Sequence, residues 1–229
     1  MSETSTGKVA SVPKTPELSP SSEAVLEAIK TRRSIRKFRE IPIPEELLKK
    51  VIDCGLRAPS SKNSQPWRFH VVRDKEMREK VADILLSNPQ AKEDGPIDPK
   101  TGKLNPNFTP TVVESADVLK SAPVAIFIEN HSPLVGGKKE VIGSPYVNDA
   151  IFGLQFDLLG IGASVENMLL AAHSQGLGGV FMGDIVLEED NIKKLFQMQG
   201  DLVGVVALGY PDQKDSWDKP LEKNRVVYH

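Results

Sequence analysis

The stretch TRRSIRKFRE, Thr31–Glu40, holds four arginines and one lysine in a chain whose formal net charge is only -2. Arginine presents a planar fork of donors that matches phosphate or carboxylate oxygens, and its charge is permanent. Ser34 adds a hydroxyl among Arg32, Arg33 and Arg36. The stretch has two readings. It is a basic helix end that complements the helix dipole, or it is a site for a small anion.

A second polar cluster lies in APSSKNSQPWRF, Ala58–Phe69. Pro59 and Pro66 stiffen it, and Ser60, Ser61, Asn63 and Gln65 lie between them. Side-chain amides both donate and accept hydrogen bonds, which suits the edge of a heteroaromatic ring. The same residues are also common in turns. Two more segments complete the set. GLGGVFMGDI (Gly176–Ile185) holds Met182 and Gly183, and EKNRVV near the C-terminus holds Lys223 and Arg225. Taken alone, EKNR reads as a solvated tail.

Composition removes several classes of function. The chain has 29 basic and 31 acidic residues, without the basic excess of a nucleic-acid surface. No apolar run approaches the roughly 20 residues of a membrane span. Cys54 is the single cysteine, so no intrachain disulfide forms. With an N-terminus that lacks an apolar core, this fits a cytoplasmic protein. Cys54 itself reads as a core thiol. His70, His131, His173 and His229 are scattered and suggest no metal cluster. GIGASV (Gly160–Val165) lacks the third glycine of a dinucleotide fingerprint and does not follow a strand.

These segments need elements to position them. Residues 1–20 are rich in Ser, Thr and Pro and read as a flexible tail; a single domain spans 21–229. A first helix covers SSEAVLEAIKTRRS, with Val25, Leu26 and Ile29 on one face. A second follows Pro44, with Leu47, Leu48, Val51 and Ile52 inward. WRFHVVRD alternates as a strand, and Lys75–Ser87 is a helix. Asn88–Thr111 carries five prolines and reads as a lid or insertion loop. VAIFIEN (Val124–Asn130) is a buried strand, and HSPLVGGKKEVIGSP is loop. Asp149–Gln175 is a long apolar helix broken around Gly160 and Gly162. GGVFMGDI and LVGVVALG are two further buried strands, separated by the helix LEEDNIKKLFQM. Strands interleaved with helices imply a layered α/β or α+β domain.

The Arg-Arg-Ser-x-Arg element followed by Pro-Ser-Ser-x-Asn-x-Gln-Pro-Trp resembles the nitroreductase family of FMN-dependent NAD(P)H oxidoreductases. GLGGVFMGDI and the C-terminal segment extend the likeness from about Ser21 to the end of the chain. The resemblance implies an α+β fold of three layers, α/β/α, with a central, mainly antiparallel sheet, and a homodimer with two FMN sites at the subunit interface. By the same resemblance Arg32, Lys223 and Arg225 bind the FMN phosphate, and Arg33 and Ser34 line its surroundings. Arg36 lies near the flavin N1/O2 edge. Ser60, Ser61, Asn63 and Gln65 contact ribityl and ring atoms. Met182 and Gly183 offer backbone N–H groups to N5 and O4. Residues 210–229 form a C-terminal arm exchanged between subunits, and the Ile161–Ala172 helix forms the interface. No side chain is an obligatory acid or base. The implied reaction passes hydride from NADH or NADPH to FMN and then reduces a nitroaromatic, quinone or enone. The alternatives are another flavin reaction of the family (dehalogenation, dehydrogenation or flavin breakdown), a non-catalytic FMN-binding protein, and an unrelated anion-binding module.

Overall fold

The computed structural model describes residues 20–89, 100–101, 109–133, 136–213 and 225–227. Residues 1–31 and 32–229 form separate compact units. The described part of the first is helix α1 (Pro20–Thr31). Its last turn is tied by Thr31 Oγ1 donating to the Glu27 carbonyl at 2.7 Å. The apolar face expected for it, Val25, Leu26 and Ile29, is exposed.

The second unit is built on strands β1 (Trp67–Val72), β2 (Val124–Asn130), β3 (Gly178–Met182) and β4 (Asp201–Gly209). They form one sheet in the order β1-β2-β4-β3, and each pair is antiparallel. Its helices are α2 (Glu45–Leu56), α3 (Lys75–Ser87), α4 (Thr111–Ser121), α5 (Lys138–Gly143), α6 (Val147–Ser174) and α7 (Glu189–Phe196).

Successive side chains of a strand face opposite ways, and this sheet uses both faces. Ala125, Phe127, Val205 and Ala207 pack with Val81 and Leu85 of α3, Ala116 and Leu119 of α4, and Ile192 of α7. Val124, Ile126, Ile128, Val206 and Leu208 pack with Leu48 and Val51 of α2 and Ile161, Val165, Met168 and Ala172 of α6. The result is the expected three-layer α/β/α arrangement. Both central strands read as near-continuous apolar runs because neither face meets water.

Three elements differ from the sequence reading. The long helix α6 runs unbroken through Gly160 and Gly162. Gly160 is there for close approach: a Cβ would sit 3.3 Å from Ser60 Cβ and 3.5 Å from the Pro59 carbonyl oxygen. The segment expected to be loop after β2 contains the short helix α5. Helix α4, with Val112, Ala116, Val118 and Leu119 buried, went unread beside the proline-rich stretch before it. Most of that stretch, Asn88–Thr111, lies outside the described residues.

Helices α2 and α6 are fastened by a close contact and two hydrogen bonds. A Cβ on Gly55 would lie 2.6 Å from Met168 Cγ, so only glycine lets the helices meet there. Ser164 Oγ donates to the Gly55 carbonyl at 2.9 Å, and Asn167 Nδ2 donates to the Cys54 carbonyl at 3.1 Å. These contacts carry the loop after α2, Ser60–Gln65, on one side of α6.

Candidate functional site

The basic turn is fixed at the β3 edge of the sheet. Ser34 forms a parallel bridge with Gly179, and the Ile35 N–H donates to the Gly179 carbonyl at 3.0 Å. Gly178 makes this approach possible, because a Cβ there would fall 2.7 Å from Ile35 Cβ. The chain then crosses to the end of β4, where Phe38 bridges Pro211 and the Arg39 N–H donates to the Tyr210 carbonyl at 2.9 Å.

The arginines diverge from this anchor. Arg32 Nε donates to Glu166 Oε1 of α6 at 3.0 Å. Arg33 donates back to the Arg32 carbonyl at 2.9 Å. Arg36 Nε lies 3.4 Å from Glu114 Oε2 of α4, and its N–H donates to Gln213 Oε1 at 3.1 Å. Since α6 and α4 cover opposite faces of the sheet, Arg32 and Arg36 reach opposite sides of its edge. Arg39 donates to the Pro211 carbonyl at 3.0 Å and is exposed. It is a surface fastener.

Helix α4 also reaches the corner after β3. Ser115 Oγ, next to Glu114, donates to the Asp184 carboxylate at 2.9 Å. Asp184 follows Met182 and Gly183 directly. Met182 is buried at 6 % exposure, so its side chain belongs to the core and only its backbone is open to a polar role. The α4 link is invisible in the linear motifs.

The Ser60–Gln65 loop is held in an uncommon shape. Lys62, Asn63 and Gln65 have φ values of 51°, 55° and 47°, the left-handed region that non-glycine residues seldom adopt. The Gln65 N–H donates to Ser60 Oγ at 3.0 Å, and Gln65 Nε2 donates to Asn63 Oδ1 at 3.4 Å. His131 Nε2 lies 3.1 Å from the Gln65 carbonyl, and the His131 N–H donates to the Pro66 carbonyl at 2.9 Å. Asn63 Nδ2 and Gln65 Oε1 are left without partners among the described residues. One donor and one acceptor therefore stand side by side.

Within one chain this loop and Arg32 meet α6 at different places. Gly160, beside Ser60, and Glu166, beside Arg32, are separated by about 9 Å along the helix and about 120° around it. Ile151, Leu158, Leu159 and Gly162 share the Glu166 side, and the side chains of Leu158 and Leu159 are exposed. An apolar stripe thus runs along α6 to the base of the basic turn. Of the two C-terminal cations, Arg225 is exposed and Lys223 lies outside the described residues.

Two buried carboxyls stand behind these loops, and neither was singled out by the motifs. Glu129 is fully buried at the end of β2. It accepts from the Gln199 N–H at 3.0 Å and the Gly200 N–H at 2.5 Å, with His70 Nε2 at 2.7 Å. Burial alone would raise its pKa. The Gly200, His70 and Gln199 hydrogen bonds and the Arg68 charge outweigh burial and hold it below the ordinary carboxylate range. Asp157 of α6 is also fully buried, and neither of its oxygens has a hydrogen-bond partner among the described residues. Burial pushes its carboxyl up, and the nearby Asn130 amide and His131 offset that only in part. The signal in sequence was an aspartate set between the apolar residues Phe156 and Leu158 of the helix. Among the described residues, no group of histidine, cysteine and carboxylate side chains could hold a metal ion.

Comparison with known proteins agrees with this architecture. Residues 29–210 match the model of the nitroreductase family. A Methanothermobacter thermautotrophicus protein, classed with NADH dehydrogenases and NAD(P)H nitroreductases, is 34% identical over 88% of this chain and 85% of its own length. The NADPH-flavin oxidoreductase of Vibrio harveyi is 28% identical over 89% of this chain and 72% of its own. A solved structure, the NADPH:FMN oxidoreductase of Vibrio harveyi complexed with NAD+, superposes with a TM-score of 0.64 at 22% identity, over 90% of this chain and 76% of that one. The chain belongs to the nitroreductase family and is an oxidoreductase of that class. No described helix is long and apolar enough to cross a membrane.

Proposed function

We propose that the protein binds FMN, takes hydride from NADH or NADPH, and reduces an electron-poor small molecule such as a nitroaromatic, quinone or enone in a ping-pong cycle. The observation that carries this reading is the fastening of the basic turn to the β3 edge by Ser34 and Ile35 at Gly179. It sets Arg32 and Arg33 at one end of the strand that leads to Met182 and Gly183. The donor set fits FMN. Arginine forks suit a phosphate dianion, and the spare Asn63 donor and Gln65 acceptor suit a ring edge that both accepts and donates.

Bound FMN supplies the redox chemistry, accepting hydride from the nicotinamide and returning it, with a proton from water, to the acceptor. The chain's residues hold and orient. Arg32 and Arg33, with Lys223 and Arg225, neutralise the phosphate, and Ser34 adds a hydroxyl. Ser60, Ser61, Asn63 and Gln65 take the ribityl and ring atoms, while Met182 and Gly183 offer backbone N–H groups. Arg36 favours negative charge at the ring's pyrimidine edge, and leaves Glu114 to do so.

The working form is a homodimer. The separation of Arg32 from the Ser60–Gln65 loop on α6 is accommodated if each flavin lies between the basic turn of one subunit and the polar loop of the other. The exposed stripe of Leu158 and Leu159 supplies the apolar contact for that pairing. Steady-state NADH and NADPH oxidation, measured against varied quinone and nitroaromatic concentrations, tests the reading. Parallel double-reciprocal lines are expected. Intersecting lines contradict the ping-pong cycle, and absence of turnover with every acceptor contradicts the function.

A further inference from the structure

Where β1 ends and β2 begins lies a cleft of about 260 Å³ lined by Arg73, Lys75, Arg78, Lys120, Ser121 and Glu40, among others. It holds four cations against one carboxylate. Arg78 is 5% exposed. Its terminal nitrogen donates to the Arg73 carbonyl at 3.0 Å, while its Nε has no partner. Arg73 in turn donates to the Ile43 carbonyl at 2.9 Å. Among the described residues, neither guanidinium has a carboxylate within ion-pair distance. Asp74 and Glu79 act on Arg78 only at longer range, and burial pushes its pKa down. Asp74 is already occupied, accepting from the Met77 N–H at 2.7 Å. Lys120 and Lys75 have only surface partners, Asp83 at 3.5 Å and Glu79 at 3.9 Å.

The electrostatic imbalance centres on Arg78, which is buried with its Nε unpartnered and no carboxylate within ion-pair distance among the described residues. Lys75 and Arg78 belong to the first turn of α3, where the helix dipole is positive and disfavours cations. A buried guanidinium without a counterion is costly, and an anion in the cleft would relieve both conditions. We propose that this cleft is a second anion site, separate from the basic turn, for a small phosphoryl group. Two guanidiniums and two ammonium groups lining one cleft match tetrahedral oxyanion chemistry. The cleft is smaller than the roughly 300–1,000 Å³ of most small-molecule pockets, so it takes free phosphate or a small phosphate monoester and not a whole nucleotide. Nothing in this site depends on the flavin reading.

The test is calorimetric titration of FMN-saturated protein with inorganic phosphate and, separately, glycerol 3-phosphate, at constant ionic strength. Saturable binding of one equivalent is expected. Tighter binding of the ester identifies a phosphorylated metabolite as the ligand type, and equal affinity identifies free phosphate; either supports the site. Losing one charged hydrogen-bonding partner should weaken binding about tenfold or more in Arg78→Gln and several-fold in Lys120→Gln, and leave it unchanged in Lys194→Gln, whose side chain is exposed on α7 away from the cleft lining. If Arg78→Gln fails to fold, Arg73→Gln at an exposed position and Lys120→Gln at a half-buried one decide. Non-saturable heats, or binding lost in Arg32→Ala and kept in the cleft variants, overturn the proposal. The second result would place the phosphate at the basic turn.

Discussion

Arg32 Nε and Glu166 Oε1 lie 3.0 Å apart, joining the basic turn to the middle of α6. The bond uses the inner nitrogen of the guanidinium, so among the described residues both terminal nitrogens remain available to an anion. Arg32→Ala is expected to weaken FMN binding about 10- to 100-fold, the range for a lost charged hydrogen bond. Arg39→Ala, which removes only a surface contact to the Pro211 carbonyl, should leave affinity unchanged. Quenching of FMN fluorescence on titration measures both.

Glu166 also brings a negative charge towards the proposed phosphate. Glu166→Gln keeps an acceptor for Arg32 Nε and removes that charge. FMN affinity should rise several-fold at low salt, and the gain should shrink as ionic strength increases. A loss of affinity would mean that the carboxylate charge is needed to hold Arg32 in place.

Asp157 is buried without a hydrogen-bond partner among the described residues, and its pKa is raised. A raised carboxyl favours the folded state only while protonated, so its contribution is full below the ordinary aspartate range and is lost as pH rises through the raised folded value. Asp157→Asn should therefore raise Tm at pH 7 by a few degrees, given about 2–4 °C per kcal/mol at this size. The advantage should vanish under acid conditions. Thermal melts across pH measure it.

Glu129 has the opposite sign. Its pKa is lowered, so its stabilisation is full above the ordinary glutamate range and is lost as pH falls through the lowered folded value. Glu129→Gln should lower Tm at neutral pH, because the Gln199 and Gly200 N–H groups lose a charged acceptor. The penalty should shrink in acid.

Leu159 is 69% exposed on α6. If the α6 stripe pairs two subunits, Leu159→Glu should yield monomers in light-scattering chromatography and reduce flavin retention in parallel. A dimer that persists would place the interface elsewhere.

Much of the fold could be read from local pattern. VAIFIEN and LVGVVALG are apolar on both faces because helices cover both sides of the sheet, and the turn between Ala58 and Trp67 announced itself through its prolines. Helix α4 was not read because TVVESADVLKS follows a proline-rich stretch that dominates the local signal. Helix α6 does not break because Gly160 serves close packing against Ser60, not a turn, and Gly162 continues the helix with open space beside it. At the site, the motifs supplied residue types but not directions. Ion pairs such as Arg32–Glu166 and Arg36–Glu114 join residues 134 and 78 positions apart, and no spacing rule predicts them. Asp157 has only a weak linear signal, an acid within an apolar run, and the cleft around Arg78 has none; burial reveals both.

The most direct test of the central claim is the visible absorption spectrum of the purified protein with FMN, recorded before and after anaerobic addition of NADH and NADPH. The account predicts a flavin band that bleaches with at least one donor and returns when a quinone is added. A protein with no flavin band, even after FMN is supplied, would contradict it.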